Sequence, residues 1–114
     1  MKIIRGKRQS GKTAEIIEQC AKDKYSLMVV PNSGLCDSVF LQSKEMGCDI
    51  PKPITFNDFI RGRFYAPSVK KFYFDELAMC LERFTKGVPI EAVNLISDEY
   101  CEQVFLKNEG VKNE

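Results

Sequence analysis

Gly6-Lys7-Arg8-Gln9-Ser10-Gly11-Lys12-Thr13 fits G-x-x-x-x-G-K-[ST], the phosphate-binding loop, at every fixed position. Upstream, Lys2-Ile3-Ile4-Arg5 is short and β-leaning. Downstream, residues 13–23 carry Ile16, Ile17, Cys20 and Ala21 on one helical face, with Glu15, Glu18, Gln19 and Lys22 elsewhere. A strand that runs through a glycine loop into a helix is the setting this motif requires. Gly6 and Gly11 let the backbone bend round an anion without a side-chain clash. Successive N–H groups then point inward, and the helix N-terminus adds partial positive charge. On this reading Gly6, Lys7, Arg8, Gln9, Ser10, Gly11, Lys12 and Thr13 bind a nucleotide, with Lys12 reaching the β- and γ-phosphates and the Thr13 hydroxyl binding Mg²⁺. The plain alternative is an ordinary glycine-rich turn.

Beyond the first helix, Ser26-Leu27-Met28-Val29-Val30 is a continuous apolar run of strand length, stopped by Pro31-Asn32-Ser33-Gly34. A strand apolar on both faces suits a parallel sheet covered by helices on both sides. A second helix is expected over 34–46, with Leu35, Val39, Phe40 and Met46 inward and Gly47 as terminator. Pro51-Lys52-Pro53 breaks the chain. Ile54-Thr55-Phe56 then reads as a short strand and Asn57–Gly62 as one or two helical turns, with Thr55 and Asp58 spaced as in a capping box.

Arg61, Arg63, Lys70 and Lys71 are interleaved with Phe59, Phe64, Tyr65 and Phe72. Two readings stand side by side. Single-stranded nucleic acid pairs its phosphates with such cations and stacks its bases on such rings, which makes Arg61, Arg63 and Tyr65 candidate contacts. Alternatively the aromatics are core and the charges are solvated, which the near-zero net charge favours.

Lys70-Lys71-Phe72-Tyr73-Phe74-Asp75-Glu76 is the second informative stretch: an apolar strand ending in two acids. Asp75 is a candidate Mg²⁺ ligand, and Glu76 a candidate catalytic base for the attacking water. Strand-end acids also serve simply as helix caps, and Leu77, Cys80, Leu81 and Phe84 do continue as a helix to Gly87. Val93-Asn94-Leu95-Ile96-Ser97 reads as a further strand. Asp98–Asn108 reads as a last helix with Tyr100, Cys101, Val104 and Phe105 inward. The alternation predicts an α/β fold, a three-layer sandwich around a mainly parallel sheet of about four strands. Loop 6–13, Asp75, Glu76 and Ser97 all fall at predicted carboxyl ends of strands, the edge at which such sheets bind ligands.

The 114 residues suffice for one domain, read as 1–109 with a frayed tail at 110–114. No apolar run approaches a membrane span and the N-terminus is no signal peptide, so a cytoplasmic protein is expected, without a membrane partner. Five widely spaced cysteines without a C-x-x-C pair point to buried thiols rather than disulfides or zinc. With no histidine, Ser-His and Cys-His catalysis are excluded. The net charge of +1 hides an asymmetry: residues 1–74 hold 13 Lys+Arg against 7 Asp+Glu, and residues 75–114 hold 4 against 9.

These motifs resemble those of the P-loop NTPase superfamily. Gly6–Thr13 is similar to its Walker A loop and Phe72–Glu76 to its Walker B strand. Glu76 beside Asp75 resembles the branch with an additional catalytic glutamate, which contains helicases, AAA-type ATPases and phage terminases. That resemblance implies ATP and Mg²⁺ as cofactors, with Lys12 and Glu76 as the catalytic residues. It also implies a strand order 1-4-3-2 for the strands at 2–5, 26–30, 70–74 and 93–97, and Ser97 as a polar sensor near the γ-phosphate. Leu27–Asn32 and Thr55-Phe56-Asn57-Asp58-Phe59 resemble helicase segments, and Arg8–Thr13 resembles terminase loops. The family's fifth strand has no counterpart here, and Arg61, Arg63 and Arg83 are arginine-finger candidates without a motif. The chain therefore resembles a stripped-down ATPase core of the kind that phages and mobile elements encode. As a motor it would act as a homo-oligomer or with a larger protein partner.

Three functions compete. The first is an Mg²⁺-dependent ATPase coupled to nucleic-acid or packaging work. The second is a small phosphotransferase, since Gly6–Ile17 also resembles thymidine kinases, although their paired zinc cysteines have no counterpart here. The third is a nucleotide-bound adaptor that does not hydrolyse. Turnover of ATP with and without single-stranded DNA, and then with thymidine, separates them.

Overall fold

A computed structural model describes residues 1–6, 10–64, 68–94 and 102–106. Among the described residues the elements follow in the order β1 (Lys2–Arg5), α1 (Lys12–Lys22), β2 (Ser26–Val30), α2 (Ser33–Glu45), β3 (Ile54–Thr55), α3 (Phe56–Ile60), β4 (Lys71–Phe74), α4 (Leu77–Phe84) and β5 (Glu102–Phe105). The chain is α/β, and among the described residues every strand pairing is parallel. It divides into two compact units, one of residues 1–12 and 91–114, the other of residues 13–90.

The larger unit is built on β2. Its five residues are all buried, as its unbroken apolar run requires, and it lies between β3 and β4. The register places Ser26 opposite Lys71 and Val29 opposite Phe74 on one side, and Val29 opposite Ile54 on the other. The expected neighbourhood of 26–30 and 71–74 is therefore present. In α1, Ile16, Ile17 and Cys20 are buried, the face its periodicity marks. In α2 the fully buried positions are Cys36, Val39 and Ser43, a stripe set slightly round from the expected one. Ser43 is tolerated there because its Oγ donates to Phe40 O at 2.6 Å. Asn32 caps α2, its side chain accepting from Leu35 N at 2.9 Å. Thr55 caps α3 likewise, accepting from Asp58 N at 3.0 Å. Val29, Phe56 and Cys80 form a core with Ile54, Phe59, Phe74 and Leu81 packed on it.

In the smaller unit β1 pairs with β5, Lys2 opposite Glu102 and Arg5 opposite Phe105. Glu102 N donates to Met1 O and Leu106 N to Arg5 O, both at 2.7 Å. Two expectations are corrected here. Residues 102–105 are a strand, not part of a helix over 98–108, because β1 finds its backbone partners there. Sheets of two and three strands replace the expected single sheet of four in the order 1-4-3-2. Val93 and Asn94 belong to no strand, and the rest of the expected strand at 93–97 lies outside the described residues.

Candidate functional site

Gly6, Ser10 and Gly11, the first described residues of the loop motif, lie in the smaller unit. Gly6 ends β1's run, and α1 begins at Lys12. A Cβ added at Gly6 would lie 2.2 Å from Ser10 Oγ and 3.3 Å from Leu106 Cβ, so a side chain there would force Ser10 to shift. Gly11 has φ +92°, a left-handed backbone that side chains rarely adopt, and it turns the chain into α1. Ser10 is buried, and its Oγ has no hydrogen-bond partner. Lys7, Arg8 and Gln9 lie outside the described residues.

Thr13 and the paired acids Asp75 and Glu76 lie in the larger unit. The β2–β4 ladder continues one residue past β4, with Asp75 N donating to Val29 O at 3.0 Å. This fixes Asp75 at the carboxyl end of the sheet, where it is only 8% exposed. Thr13, in the first turn of α1, donates from Oγ1 to Asp75 Oδ2 at 3.0 Å, across 62 residues of sequence. The two residues expected to share a cation are thus within hydrogen-bond distance. Cys80, fully buried one turn into α4, directs its Sγ to Asp75 O at 3.8 Å, and its N–H donates to Glu76 O at 3.0 Å. Burial first, and then the carboxylates of Asp75 and Glu76, push the Cys80 thiol up to about 11. It is a packing residue, not a nucleophile.

Glu76 is exposed and stands at the N-cap of α4 with φ 58° and ψ 52°, and its side chain makes no capping bond. A cap function therefore does not account for this acid. A non-glycine residue held left-handed is strained, and such strain concentrates at functional positions.

No family model, curated protein or solved structure matches the chain.

The basic-aromatic segment separates into two parts. Phe59 packs edge-on against Phe72 and Phe74, with centroids 5.0 Å apart in both pairs, and stacks on Phe64 at 6.0 Å. Phe56 joins the group through Phe59 and Phe74. These rings are consumed by packing. Arg61 and Arg63 are exposed. Tyr65 and Ser97 lie outside the described residues. Cys20, Cys36 and Cys80 are buried free thiols and Cys48 is half-buried. No helix among the described residues is long and apolar enough to cross a membrane.

Sequence reasoning missed the unpaired Ser10 hydroxyl and the thiol beneath Asp75. Ser10 was named with the rest of the loop but occupies a variable position, so nothing marked its hydroxyl as unpaired, and Cys80 reads only as one apolar residue of a helix.

Proposed function

We propose that this chain is a small P-loop NTPase, binding a nucleoside triphosphate with Mg²⁺ and hydrolysing it. The observation that carries the reading is the Thr13–Asp75 hydrogen bond. It joins the last residue of the loop motif to the strand-end aspartate, 62 residues away, as their shared role demands. The unpaired Ser10 hydroxyl and the Gly6 backbone packed against it fit a loop built to receive an anion.

Thr13 Oγ1 and Asp75 would hold Mg²⁺, and both are hard oxygen donors. Among the described residues no three His, Cys, Asp or Glu side chains gather, so the cation would share this pair with water and phosphate oxygens, as Mg²⁺ commonly does. When bound it neutralises charge on the β- and γ-phosphates. Lys12 opens α1, and its ammonium supplies a further positive charge for the phosphate chain. Glu76 takes the proton from the water that attacks the γ-phosphorus, as the bond to the β–γ bridging oxygen breaks. Coupling of hydrolysis to single-stranded nucleic acid rests on the exposed Arg61 and Arg63. With Phe59, Phe64 and Phe72 packed together, that contact would be largely ionic.

The test is equilibrium binding of ATP, with and without Mg²⁺, to the wild-type chain and to Lys12→Ala, followed by turnover assays with single-stranded DNA and with thymidine. Lys12→Ala is expected to lose most of its ATP affinity and stay folded. Unchanged ATP affinity in a folded Lys12→Ala protein refutes the proposal. Phosphate transfer to thymidine in place of hydrolysis would assign the chain to the kinase reading.

A further inference from the structure

The strands of the larger unit run parallel, so its sheet has an amino edge opposite the carboxyl edge that carries Asp75. β2 is five residues long, which sets the two edges about 15 Å apart. Two chain segments enter the amino edge side by side. Lys24 and Tyr25 lead into β2, and Lys70 leads into β4. Lys70 N donates to Tyr25 O at 2.7 Å, and Ser26 lies opposite Lys71 in the ladder. Lys24, Tyr25, Lys70 and Lys71 are all exposed. The acid beside them is Asp23, whose Oδ2 is engaged by Lys71 Nζ at 3.1 Å and by the Tyr73 hydroxyl. Among the described residues Lys24 and Lys70 form no ion pair.

Tyr25 departs from ordinary turn chemistry. Its φ is 68°, a left-handed backbone that suits glycine or asparagine. The residue is 53% exposed, so burial does little to offset that strain. Lys24 Nζ lies over the ring, 5.3 Å from its centroid. Among the described residues Tyr25 makes no ring–ring contact, whereas Phe59, Phe64 and Phe72 pack on one another. An exposed ring at a strained position, set among cations, calls for a reason outside the fold.

We infer that this amino edge binds single-stranded nucleic acid, with Tyr25 stacking on a base and Lys24 and Lys70 pairing with the flanking phosphates. A cation and an aromatic face offered together match a polymer in which anionic groups alternate with flat rings. A lipid surface or an acidic peptide has the charge without the rings. The inference shares with the proposed function its class of partner but rests on residues other than Arg61 and Arg63, and it does not depend on the phosphate loop. Because Thr13 and Asp75 meet at the opposite edge, binding here requires no nucleotide.

The experiment follows binding of a labelled oligothymidylate to the full chain by fluorescence anisotropy, without nucleotide and over a range of salt. An abasic oligomer of the same length and vesicles of phosphatidylserine serve as comparison probes. The variants are Tyr25→Phe, Tyr25→Asn, and Lys24→Ala combined with Lys70→Ala. Asparagine tolerates the left-handed backbone, so Tyr25→Asn should keep the fold, which circular dichroism checks. Its affinity for oligothymidylate should fall about fivefold to a hundredfold, the loss of one stacked base, while Tyr25→Phe stays near wild type. Affinity for the abasic oligomer should not respond to either. The double lysine variant should make the slope of log affinity against log salt shallower by up to about 1.4, for two lost phosphate contacts. Wild-type affinity in both Tyr25→Asn and the double lysine variant overturns the inference. If Arg61→Ala with Arg63→Ala alone weakens binding, the interface lies on that segment instead. Equal losses on the abasic oligomer would make the edge a general polyanion surface, and preference for the vesicles would make it a membrane surface; either result overturns the inference. A wild-type chain that binds no oligothymidylate at low salt overturns it as well, whereas ATP binding in that chain would leave the nucleotide reading standing.

Discussion

Glu76 offers a way to separate strain from chemistry. It is exposed, its carboxylate caps nothing, and its backbone lies at φ 58°, ψ 52°. Holding a side-chain-bearing residue in that region costs about 1–2 kcal/mol. Glycine escapes the clash but gives up more chain entropy on folding, roughly 0.5–1 kcal/mol. Glu76→Gly should therefore stabilise the protein by about 0.5–1 kcal/mol, raising the melting temperature by roughly 2–6 °C in a domain of this size. Glu76→Gln keeps the Cβ and the strain, so its melting temperature should match wild type. Both variants lack the base, and single-turnover ATP hydrolysis should fall by about 10²–10⁴-fold in each. Scanning calorimetry without nucleotide reads the first effect, and rapid-quench hydrolysis the second. A Glu76→Gly protein that melts lower than wild type would show that the side chain contributes to stability, and the strain argument fails. Wild-type turnover in Glu76→Gln would refute its role as the base.

Asp75→Asn should lower Mg²⁺-dependent ATP affinity as well as turnover, unlike Glu76→Gln, which should bind ATP and retain it. Identical ATP retention by the two in a filter-binding assay contradicts their division of labour. Arg61→Ala with Arg63→Ala should weaken single-stranded DNA binding, and the slope of log affinity against log salt should become shallower by up to about 0.7 per lost phosphate contact. An unchanged slope excludes both residues from the interface. Tyr73 donates to Asp23 Oδ2, which Lys71 Nζ also approaches at 3.1 Å. Burial, followed by the Asp23 hydrogen bond and charge, pushes the Tyr73 phenol up to about 12 from its ordinary 10. Folding thus favours the neutral phenol. The stability this contributes is whole below pH 10 and is lost as pH rises toward 12. Tyr73→Phe should flatten that alkaline loss in urea melts between pH 9 and pH 12, and an equally steep loss in the variant would place its origin elsewhere.

Much of the fold was legible because its signals are local. Four consecutive apolar residues, Leu27–Val30, declare a strand with no solvent face, and the 3.6-residue spacing of Ile16, Ile17 and Cys20 declares a helix packed on one side. Thr55 and Asp58 announced the cap at α3 by spacing alone. The loop motif and the paired acids named Thr13, Asp75 and Glu76 as candidates before any geometry was known.

Tertiary structure decided what depends on partners far along the chain. Tyr100, Cys101, Val104 and Phe105 repeat with a helical period, yet Glu102–Phe105 is extended. A short apolar segment fits either period, and the choice fell to the backbone donors and acceptors of β1, about a hundred residues away. The aromatic-basic segment divided in the same way. Composition could not tell a ring that stacks on a base from one that packs on Phe59, because the difference lies in what the fold brings beside it. The Thr13–Asp75 bond and the unpaired Ser10 hydroxyl are likewise facts of proximity and burial. Sequence by itself determined which residues could do the chemistry, since residue type and local periodicity are written in neighbouring positions. Only the folded chain decided which of them meet, because pairing and desolvation arise between residues that sequence keeps apart.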